Sequence, residues 1–357
     1  CERAAQMLHN TIAITHPLGR CQIATDLALT RRTLEGHGKN PNAGAVVVVD
    51  HFKEEGCTAD EIAHEIAKTG KPVEVVNIRR SGGLLHALEE ALRAGINFLR
   101  KITPQRRERV SVSKLVMGIN CGTSDVTSGI AHNRATGYVT DKIVELGGRV
   151  IMAETTEMMG AEDILAGRCI NESVAQKLYG IVQRMEKRIL ACGVDLRGSQ
   201  PTGDNIIGGL TTIEEKSLGA IQKAGQRAPI IDVIEYAEQI GTQPGIYVMD
   251  TPGHGGESIT GIAAGGAPVL IFSTGGGHTI NHPLMITIRV SGNPESVRLM
   301  ADTTDVDVSD MLTGTSVEEA GERLYAEVLA VASGKFTTAE AIKEYNAFAI
   351  HRLGPSV

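Results

Sequence analysis

Short runs of apolar and β-branched residues recur along the chain, and most are followed by a turn signal and then by a stretch with helical spacing. Because these runs are continuously apolar, they are typical of strands covered on both faces, as in a parallel sheet with crossover helices. The predicted strands are Thr11–Thr15, Ala45–Asp50, Val73–Ile78, Lys114–Ile119, Arg149–Ala153, Gly245–Asp250, Val269–Ser273 and Met285–Val290. The predicted helices are Glu61–Thr69, Leu84–Arg100, Thr140–Leu146, Ser173–Ala191, Leu210–Ala224 and Ser316–Ala332. The pattern therefore predicts an α/β protein of parallel-sheet, Rossmann-like units.

A basic run with a proline, RKITPQRRER, interrupts this pattern at residues 100–109. Such a run is expected to lie in solvent, either as a linker or simply as the exposed face of a loop. A chain of 357 residues with 42% hydrophobic content is long enough for two packed domains. We predict an N-terminal α/β domain at residues 1–105 and a C-terminal α/β domain at residues 106–357 that carries most of the site loops.

Composition narrows the class of protein. The net charge of −7 argues against a nucleic-acid surface or a polybasic membrane anchor, and no run of 18 apolar residues predicts a membrane span. The six cysteines show no paired spacing, so we expect reduced thiols and a cytoplasmic location. The start at Cys1 shows neither an initiator methionine nor a signal peptide, and we expect that an upstream segment is missing.

Candidate chemistry follows several predicted strands, at the sheet end where ligands bind in open α/β folds. The first segment is the glycine-rich loop NCGTSDVTSG at residues 120–129, where close backbone approach and a following helix start would favour a carboxylate, phosphate or sulfonate. An ordinary tight connection is the alternative. The candidates in this loop are Cys121, Ser124, Asp125 and Ser128.

The next strand leads into AETTEMMGAED at residues 153–163, which holds four carboxylates. Converging carboxylates can ligate a divalent cation, or act as acid and base when their surroundings differ. Glu154 and Glu157 are preferred here, because Glu162 and Asp163 could merely favour the start of a helix through its dipole.

A glycine-rich turn then feeds a helix in QPTGDNIIGGLTTIEEKSLGAIQKAG, residues 200–225. Thr211 and Thr212 precede Glu214 and Glu215 in the order of a capping box, and helix capping is the simpler explanation for these four residues. Lys216, one turn into the helix, could instead hold a substrate anion or act as a base.

Two later strands end in DTPGHGGES at residues 250–258 and STGGGHTINHP at residues 273–283. They place Asp250, His254, Glu257, His278 and His282 at neighbouring sheet ends, in a mixture suited to metal binding or proton transfer. The segment THPLGRCQ at residues 15–22 adds candidate anion ligands, above all a guanidinium that can donate in bidentate fashion.

Together these motifs resemble the altronate and galactarate dehydratase family, which also contains the large subunit of sulfolactate sulfo-lyase. The strings that carry the resemblance are CGTSDVTSG, AETTEMMGAED, QPTGDNIIGGLTTIEEKSLGAIQKAG and VMDTPGHGGESITGIAAGG, in this order. The family's sugar-acid dehydratases usually have Gly-Cys where this chain has Gly19-Arg20, and Pro-Glu where it has Thr156-Glu157. These departures, with HPLGR and SGNPESVRLMADTTDVDVSDML, look more like the sulfo-lyase subunit.

The resemblance implies a lyase that removes the proton α to a carboxylate, stabilises the enolate and expels a group from the β-carbon to give a 2-keto acid. It also implies a divalent metal, with Fe²⁺ expected first and Mn²⁺ or Mg²⁺ as alternatives, and a small companion subunit or a further N-terminal domain. We expect a small anionic substrate, no nucleic-acid or membrane partner, and a homo-oligomer. Sulfolactate cleavage to pyruvate and sulfite is the first hypothesis, a sugar-acid dehydratase the second, and a non-catalytic partner subunit the third.

The predicted roles fall into three groups. Catalytic roles are assigned to Asp125, Glu154, Glu157, Lys216 and His278. Substrate-binding roles are assigned to His16, Arg20, Ser124, Ser128, Thr211, Thr212 and Thr251. Metal-binding roles are assigned to Cys121, Asp250, His254 and Glu257. A dinucleotide-dependent oxidoreductase is disfavoured, because no GxGxxG follows a first strand with an acidic residue about 20 positions later.

Overall fold

The computed structural model describes residues 1–16, 21–52 and 55–356. Its strands are β1 Val46–Asp50, β2 Val73–Asn77, β3 Val116–Gly122, β4 Arg149–Met152, β5 Ile230–Ile234, β6 Gly245–Met249, β7 Val269–Thr274, β8 Ile286–Ser291 and β9 Val306–Asp307. Its α-helices are α1 Glu2–Met7, α2 Ala24–Lys39, α3 Ala59–Ala67, α4 Leu84–Ile102, α5 His132–Glu145, α6 Glu162–Ala166, α7 Glu172–Ala191, α8 Leu196–Ser199, α9 Gly203–Ile207, α10 Ile213–Ala220, α11 Gly255–Ala264, α12 Pro294–Leu299, α13 Val317–Ala332 and α14 Thr338–Ala341. Short 3₁₀ helices occupy Val112–Lys114, Thr155–Glu157, Ile221–Ala224 and Ser309–Thr313.

The strands form two parallel sheets. In the first, β1 pairs with β2, and the amphipathic helices α3 and α4 pack against this pair. The second has seven strands in the order β5-β6-β4-β3-β7-β8-β9, all parallel. Since the chain leaves β3 toward β4 on one side and later returns to β7 on the other, the carboxyl end of β3 lies at a topological switch point, where open sheets bind ligands.

Both faces of the seven-stranded sheet are covered, which explains why its strands are continuously apolar. Adjacent residues of β4, Val150 and Ile151, belong to two different core clusters, one beneath α5, α7 and α13 and the other beneath α11. Each fully buried aliphatic side chain contributes about 1.5–3 kcal/mol to folding. On β3, a Cβ at Gly118 would lie 2.5 Å from Cγ2 of Ile262, so glycine lets α11 approach the sheet closely.

The predicted α/β class and parallel sheet are confirmed, although one predicted strand is wrong. Residues 11–16 adopt no regular structure, because no strand within the described residues lies beside them to share backbone hydrogen bonds. Two predicted helices are also displaced: α5 begins at His132, well before Thr140, and the segment predicted as Leu210–Ala224 becomes α10 followed by a 3₁₀ turn. Strands β5 and β9 and helices α1, α2, α8, α9, α11, α12 and α14 were not predicted.

Helix α2 links the N-terminal elements to the larger sheet by packing against α11. Asn40 donates from Nδ2 to the backbone oxygens of Ala263 at 2.8 Å and Ala267 at 2.9 Å. A Cβ on Gly36 would meet the backbone oxygen of Ala264 at 2.3 Å, so the two helices touch backbone to backbone. Apart from Leu29, the buried residues of α2 are polar or small, so the helix shows no apolar period in the sequence.

Residues 103–111, between α4 and the first 3₁₀ turn, are all exposed, in accord with a solvated connection. We retain the domain boundary at residues 105 and 106 as a proposal. Among the residues that the structure describes, no helix has the length and apolar character needed to cross a bilayer.

Candidate active site

The loops after β3, β4 and β6 meet at the switch point. Strand β3 ends at Gly122, and Glu154 follows β4 in a left-handed conformation with φ 69° and ψ 65°. This conformation costs a residue other than glycine about 1–2 kcal/mol. It is held by the loop after β6, because the Glu154 N–H donates to Oγ1 of Thr251 at 2.8 Å and the Thr155 N–H donates to the Thr251 carbonyl at 3.1 Å.

Four ionisable side chains converge beneath these loops and form what we call the buried cluster: Cys121, Glu154, Glu157 and Lys223. Lys223 Nζ donates to Glu154 Oε2 at 2.5 Å and to Cys121 Sγ at 2.8 Å, and it lies 3.5 Å from Glu157 Oε2. The thiol of Cys121 donates to Glu157 Oε2 at 2.9 Å, and its backbone N–H donates to Glu154 Oε2 at 2.9 Å. The side chains of Lys223 and Glu154 are both 0% exposed.

The surroundings in the cluster give Glu154 and Glu157 different pKa values. Burial and the neighbouring Glu157 raise the pKa of Glu154 to about 7. Burial acts against ionisation of Glu157 as well, but Lys223 and Lys216 outweigh it and lower the pKa of that carboxyl. Burial, with both carboxylates nearby, raises the pKa of the Cys121 thiol. Burial would lower the pKa of Lys223, but the facing thiol and carboxylates raise it overall, so the lysine is cationic.

A cavity of about 200 Å³ opens beside the cluster. Cys121, Glu157 and Lys216 reach its wall, whereas Glu154 and Lys223 stay behind it. The remaining lining residues are Gly122, Thr123, Ser124, Thr202, Asp204, Asn205 and Gly253. Lys216 stands between this wall and the cluster, with Nζ 3.6 Å from Glu157 Oε1 and 3.0 Å from the side-chain oxygen of Gln200. The cavity therefore offers an ionised carboxylate next to a cation.

The cluster also has the donor set of a metal site. Ligand atoms of Cys121, Glu154 and Glu157 all lie within 4.8 Å of one another. Glu154 Oε1 is buried and has no hydrogen-bond partner among the described residues, so one carboxylate oxygen is available to a cation. One sulfur and several carboxylate oxygens are compatible with a divalent transition metal.

Asp125 holds its loop together through both carboxylate oxygens. Oδ1 accepts from the N–H of Thr127 at 2.8 Å and from its hydroxyl at 2.6 Å, and Oδ2 accepts from Asn293 at 2.7 Å. The hydroxyl of Ser128 accepts from the Asp125 N–H at 3.0 Å. Of the predicted residues in this loop, Cys121 and Ser124 line the cavity. Ser128 bonds within the loop, and Asp125 bonds both within it and to Asn293 at the start of α12.

The threonines before α10 and the acidic residues in the first turn of α6 have the helix-capping and helix-dipole roles given above as the simpler interpretation. Thr212 caps α10 by accepting from the Glu215 N–H, and Thr211 donates to the Glu215 carboxylate at 2.8 Å from its N–H. Both threonines are exposed. Glu162 and Asp163 lie in the first turn of α6, as the helix-dipole explanation expected.

Asp250 is buried against a partner far away in sequence. Its Oδ2 forms an ion pair with Arg184 at 2.5 Å, and its Oδ1 accepts from the Thr155 hydroxyl at 2.8 Å. Thr251, also buried, supports Glu154 as described above. The structure therefore gives Asp250 a positioning contact beside the cluster and does not bring it into the group of candidate ligands.

The histidine-rich loops form a separate neighbourhood. Glu257 lies between His254, 3.5 Å away, and His351, 3.4 Å away, and these three do not reach the cavity wall. Nδ1 of His278 accepts from the Ile280 N–H at 2.9 Å. Burial, Arg289 and His254 lower the pKa of His278, so the ring is neutral.

His16, Arg20 and His282 were also named from the sequence. His16 is half-buried, and burial lowers its pKa. Arg20 lies outside the described residues. Nε2 of His282 bonds with Nε2 of His37 on α2 at 3.2 Å, so this candidate serves the contact with the N-terminal elements.

Sequence reasoning missed Lys223. It lies in the 3₁₀ turn after α10, and its backbone oxygen accepts from the Thr140 hydroxyl at 2.8 Å, which fixes the turn on α5. The available signal was its position within AIQKAG, where a lone lysine stands among small and apolar residues. A lysine in such a context is costly to bury unless an anion faces it.

Comparison with known proteins identifies the family of the chain. The model described as D-galactarate/altronate dehydratase, C-terminal, matches residues 112–356, and the D-galactarate dehydratase/altronate hydrolase second-domain model matches residues 2–103. The (2R)-sulfolactate sulfo-lyase subunit beta of Chromohalobacter salexigens is 39% identical over 96% of this chain and 87% of its own length.

Two enzymes of Escherichia coli are also similar. Altronate dehydratase is 29% identical over 95% of this chain and 67% of its own length. Galactarate dehydratase (L-threo-forming) is 32% identical over 86% of this chain and 60% of its own length. The match of one family model to most of the chain, together with these relatives, confirms the resemblance read from the motifs: the chain belongs to the D-galactarate/altronate dehydratase family and is an enzyme of the lyase type.

Proposed function

We propose that the chain cleaves a 2-hydroxy carboxylate by β-elimination, and that its substrate is (R)-sulfolactate, which would give pyruvate and sulfite. The observation that carries this proposal is the 39% identity to a (2R)-sulfolactate sulfo-lyase subunit over 96% of the chain, against 29% and 32% for the two Escherichia coli dehydratases. The permanently charged sulfonate also suits a cavity with a cation at its wall.

In this proposal Glu157 is the base. Its carboxyl lines the cavity, and the lowered pKa keeps it ionised at neutral pH. It takes the proton from the carbon that bears the hydroxyl; the carbon–sulfur bond then breaks, sulfite leaves with the bonding electrons, and the enol converts to pyruvate. Lys216, 3.6 Å from Glu157 Oε1, holds the substrate carboxylate and offsets the negative charge that develops there.

The rest of the cluster prepares this base. Lys223 neutralises the charge of Glu154 and Glu157 behind the cavity wall, and Cys121 fixes Oε2 of Glu157 by donating to it at 2.9 Å. A divalent cation, for which we propose Fe²⁺ with Mn²⁺ and Mg²⁺ as alternatives, would be held by Cys121, Glu154 and Glu157 and would supply positive charge next to an enolate.

A sugar-acid dehydratase is the second candidate, because two relatives carry that name. Hydroxide leaves only when it is protonated, so a dehydratase needs a general acid at the leaving group. The carboxyl best suited by its pKa, Glu154, is enclosed and does not reach the cavity wall. Sulfite is the better leaving group, and this arrangement therefore favours the sulfo-lyase.

We also propose a small companion subunit, because the sulfo-lyase relative is named a subunit beta. The expected homo-oligomer and cytoplasmic location remain proposals.

The deciding experiment uses the purified chain with ferrous iron, alone and with the companion subunit of the sulfo-lyase relative. Sulfolactate, altronate and galactarate are supplied separately, and pyruvate, sulfite and 2-keto-3-deoxy acids are measured. Equal amounts of pyruvate and sulfite support the proposal. A 2-keto-3-deoxy acid overturns it in favour of a dehydratase, and no product under any condition indicates a non-catalytic subunit. Glu157→Gln provides the inactive control.

A further inference from the structure

The contact between Cys121 and Lys223 places a thiol and an amine side by side in the buried cluster. Sγ and Nζ are 2.8 Å apart, and both residues are buried, at 3% and 0% exposure. The backbones on both sides are fixed, since the Cys121 N–H donates to Glu154 at 2.9 Å and the Lys223 carbonyl accepts from Thr140 at 2.8 Å. The two reactive atoms are therefore held together.

We propose that Cys121 and Lys223 form an oxidative modification site, in which hydrogen peroxide joins Sγ and Nζ through one bridging oxygen atom. The distance of 2.8 Å is close to the separation that a sulfur and a nitrogen keep when one oxygen is bonded to both. A direct sulfur–nitrogen bond would be much shorter, and the two side chains would have to move together to form it.

The reaction balances with peroxide as the only oxidant. One thiol, one neutral amine and two molecules of hydrogen peroxide give one S–O–N bridge and three molecules of water. The S–H bond and one N–H bond break, S–O and O–N bonds form, and four electrons pass from sulfur and nitrogen to the peroxide. The bridged nitrogen carries no charge, so the ammonium of Lys223 also releases one proton, which leaves with the water that is formed.

Peroxide can reach the site, because Cys121 lines the cavity of about 200 Å³. One peroxide oxidises the thiol to a sulfenic acid and a second oxidises the amine to a hydroxylamine, each with release of one water. The hydroxylamine oxygen then attacks the sulfenic sulfur and expels the third water, which leaves one oxygen between sulfur and nitrogen. Cys121 is only 3% exposed, so peroxide reaches this thiol more slowly than it reaches the exposed Cys192. The bridge would remove both the thiol and the cation from the cluster, and a thiol reductant would restore them.

The test needs no substrate, so its result is independent of the proposed elimination. The full chain is treated with hydrogen peroxide, the remaining thiols are alkylated, and a tryptic digest is examined by mass spectrometry. We expect peptide 115–134, which contains Cys121, to be joined to peptide 217–227, uncleaved after Lys223. The pair should be one oxygen heavier and two hydrogens lighter than the two peptides together, and it should separate after treatment with dithiothreitol.

Variants make the assignment specific. Cys121→Ser and Lys223→Arg should each abolish the joined peptides, while Lys216→Arg, which changes the other lysine near Glu157, should retain them. Circular dichroism of each variant establishes that it is folded, and Cys169, whose Sγ contacts the Leu165 carbonyl at 3.6 Å, serves as an internal control without a lysine contact of this kind. The proposal is overturned if Cys121 is recovered only as the free thiol or as sulfinic or sulfonic acid with normal cleavage at Lys223. Joined peptides that lack the oxygen also overturn it.

Discussion

Replacement of Lys223 by methionine should destabilise the protein strongly, because it leaves two carboxyl groups and a thiol facing each other without a cation. Lys223 and Glu154 have 0% exposed side chains and a 2.5 Å contact, so solvent cannot replace the lost partner. Removing one partner of a buried ion pair typically costs about 3–5 kcal/mol, and we expect a loss in this range. Methionine keeps the length of the side chain, so little of the loss should come from an empty cavity.

The loss should also depend on pH. Below the pKa of Glu154, which is about 7 in the wild type, this carboxyl holds a proton and needs no cation. In the variant its pKa rises further, so above pH 7 the folded variant binds a proton that the folded wild type has released. The difference in unfolding free energy should therefore grow with pH by up to about 1.4 kcal/mol per pH unit, and be larger at pH 8 than at pH 6.

Urea unfolding followed by circular dichroism at pH 6 and pH 8 measures both quantities. Lys216→Met is the matched control, because its side chain is 14% exposed and its contact with Glu157 is longer, at 3.6 Å. The control should lose less than Lys223→Met, because Lys216 reaches the cavity wall and water can take the place of its lost contact. A loss below about 1 kcal/mol for Lys223→Met at both pH values would refute the assignment of Lys223 as the internal counter-ion.

Three further predictions concern the carboxylates. Glu157→Gln should lower the rate of pyruvate formation from sulfolactate about 10²–10⁴-fold without loss of folding, and near-normal turnover would exclude it as the base. Glu154 has a pKa of about 7 in the folded chain and 4.5 in the unfolded chain, so the folded state binds its proton more tightly. The unfolding free energy of the wild type should therefore fall as pH rises from 4.5 to 7. Urea titrations should show that Glu154→Gln flattens this slope. Asp125→Asn turns one accepting oxygen into a donor that faces existing donors, so it should cost about 1–3 kcal/mol of stability and lower turnover through the loop; an unchanged melting temperature would contradict this positioning role.

Much of the fold could be predicted because burial of a strand on both faces leaves a direct trace in the sequence. The apolar runs at Val269–Thr274 and Ile286–Ser291 are examples. Strand β5 was missed because Asp232 interrupts its apolar run. Helix α2 was missed because its buried residues, apart from Leu29, are polar or small. In both elements, contacts that are distant in sequence decide the structure, and local periodicity carries no record of them.

The candidate site shows the same division. The motifs identified Cys121, Glu154, Glu157 and Lys216, which the fold brings together: three of them line the cavity and Glu154 lies behind its wall. Asp250 resembles these residues in sequence, since it also follows a strand, but its carboxylate is paired with Arg184 from α7. For Lys223 the sequence offers one signal, its small and apolar neighbours, and only the packed structure shows that the side chain is completely enclosed and faces two carboxyl groups.

The contact of α2 with α11 has a consequence for protein engineering. Its specificity depends on three contacts: the Asn40 amide bonds to two backbone carbonyls, Gly36 leaves no room for a methyl group, and His37 bonds to His282. Apolar surfaces tolerate small shifts and substitutions, whereas these directional contacts form in only one alignment of the two helices. A chimera that takes residues 1–105 from a relative should therefore assemble only if the matching α11 surface and the loop of His282 are transplanted with them.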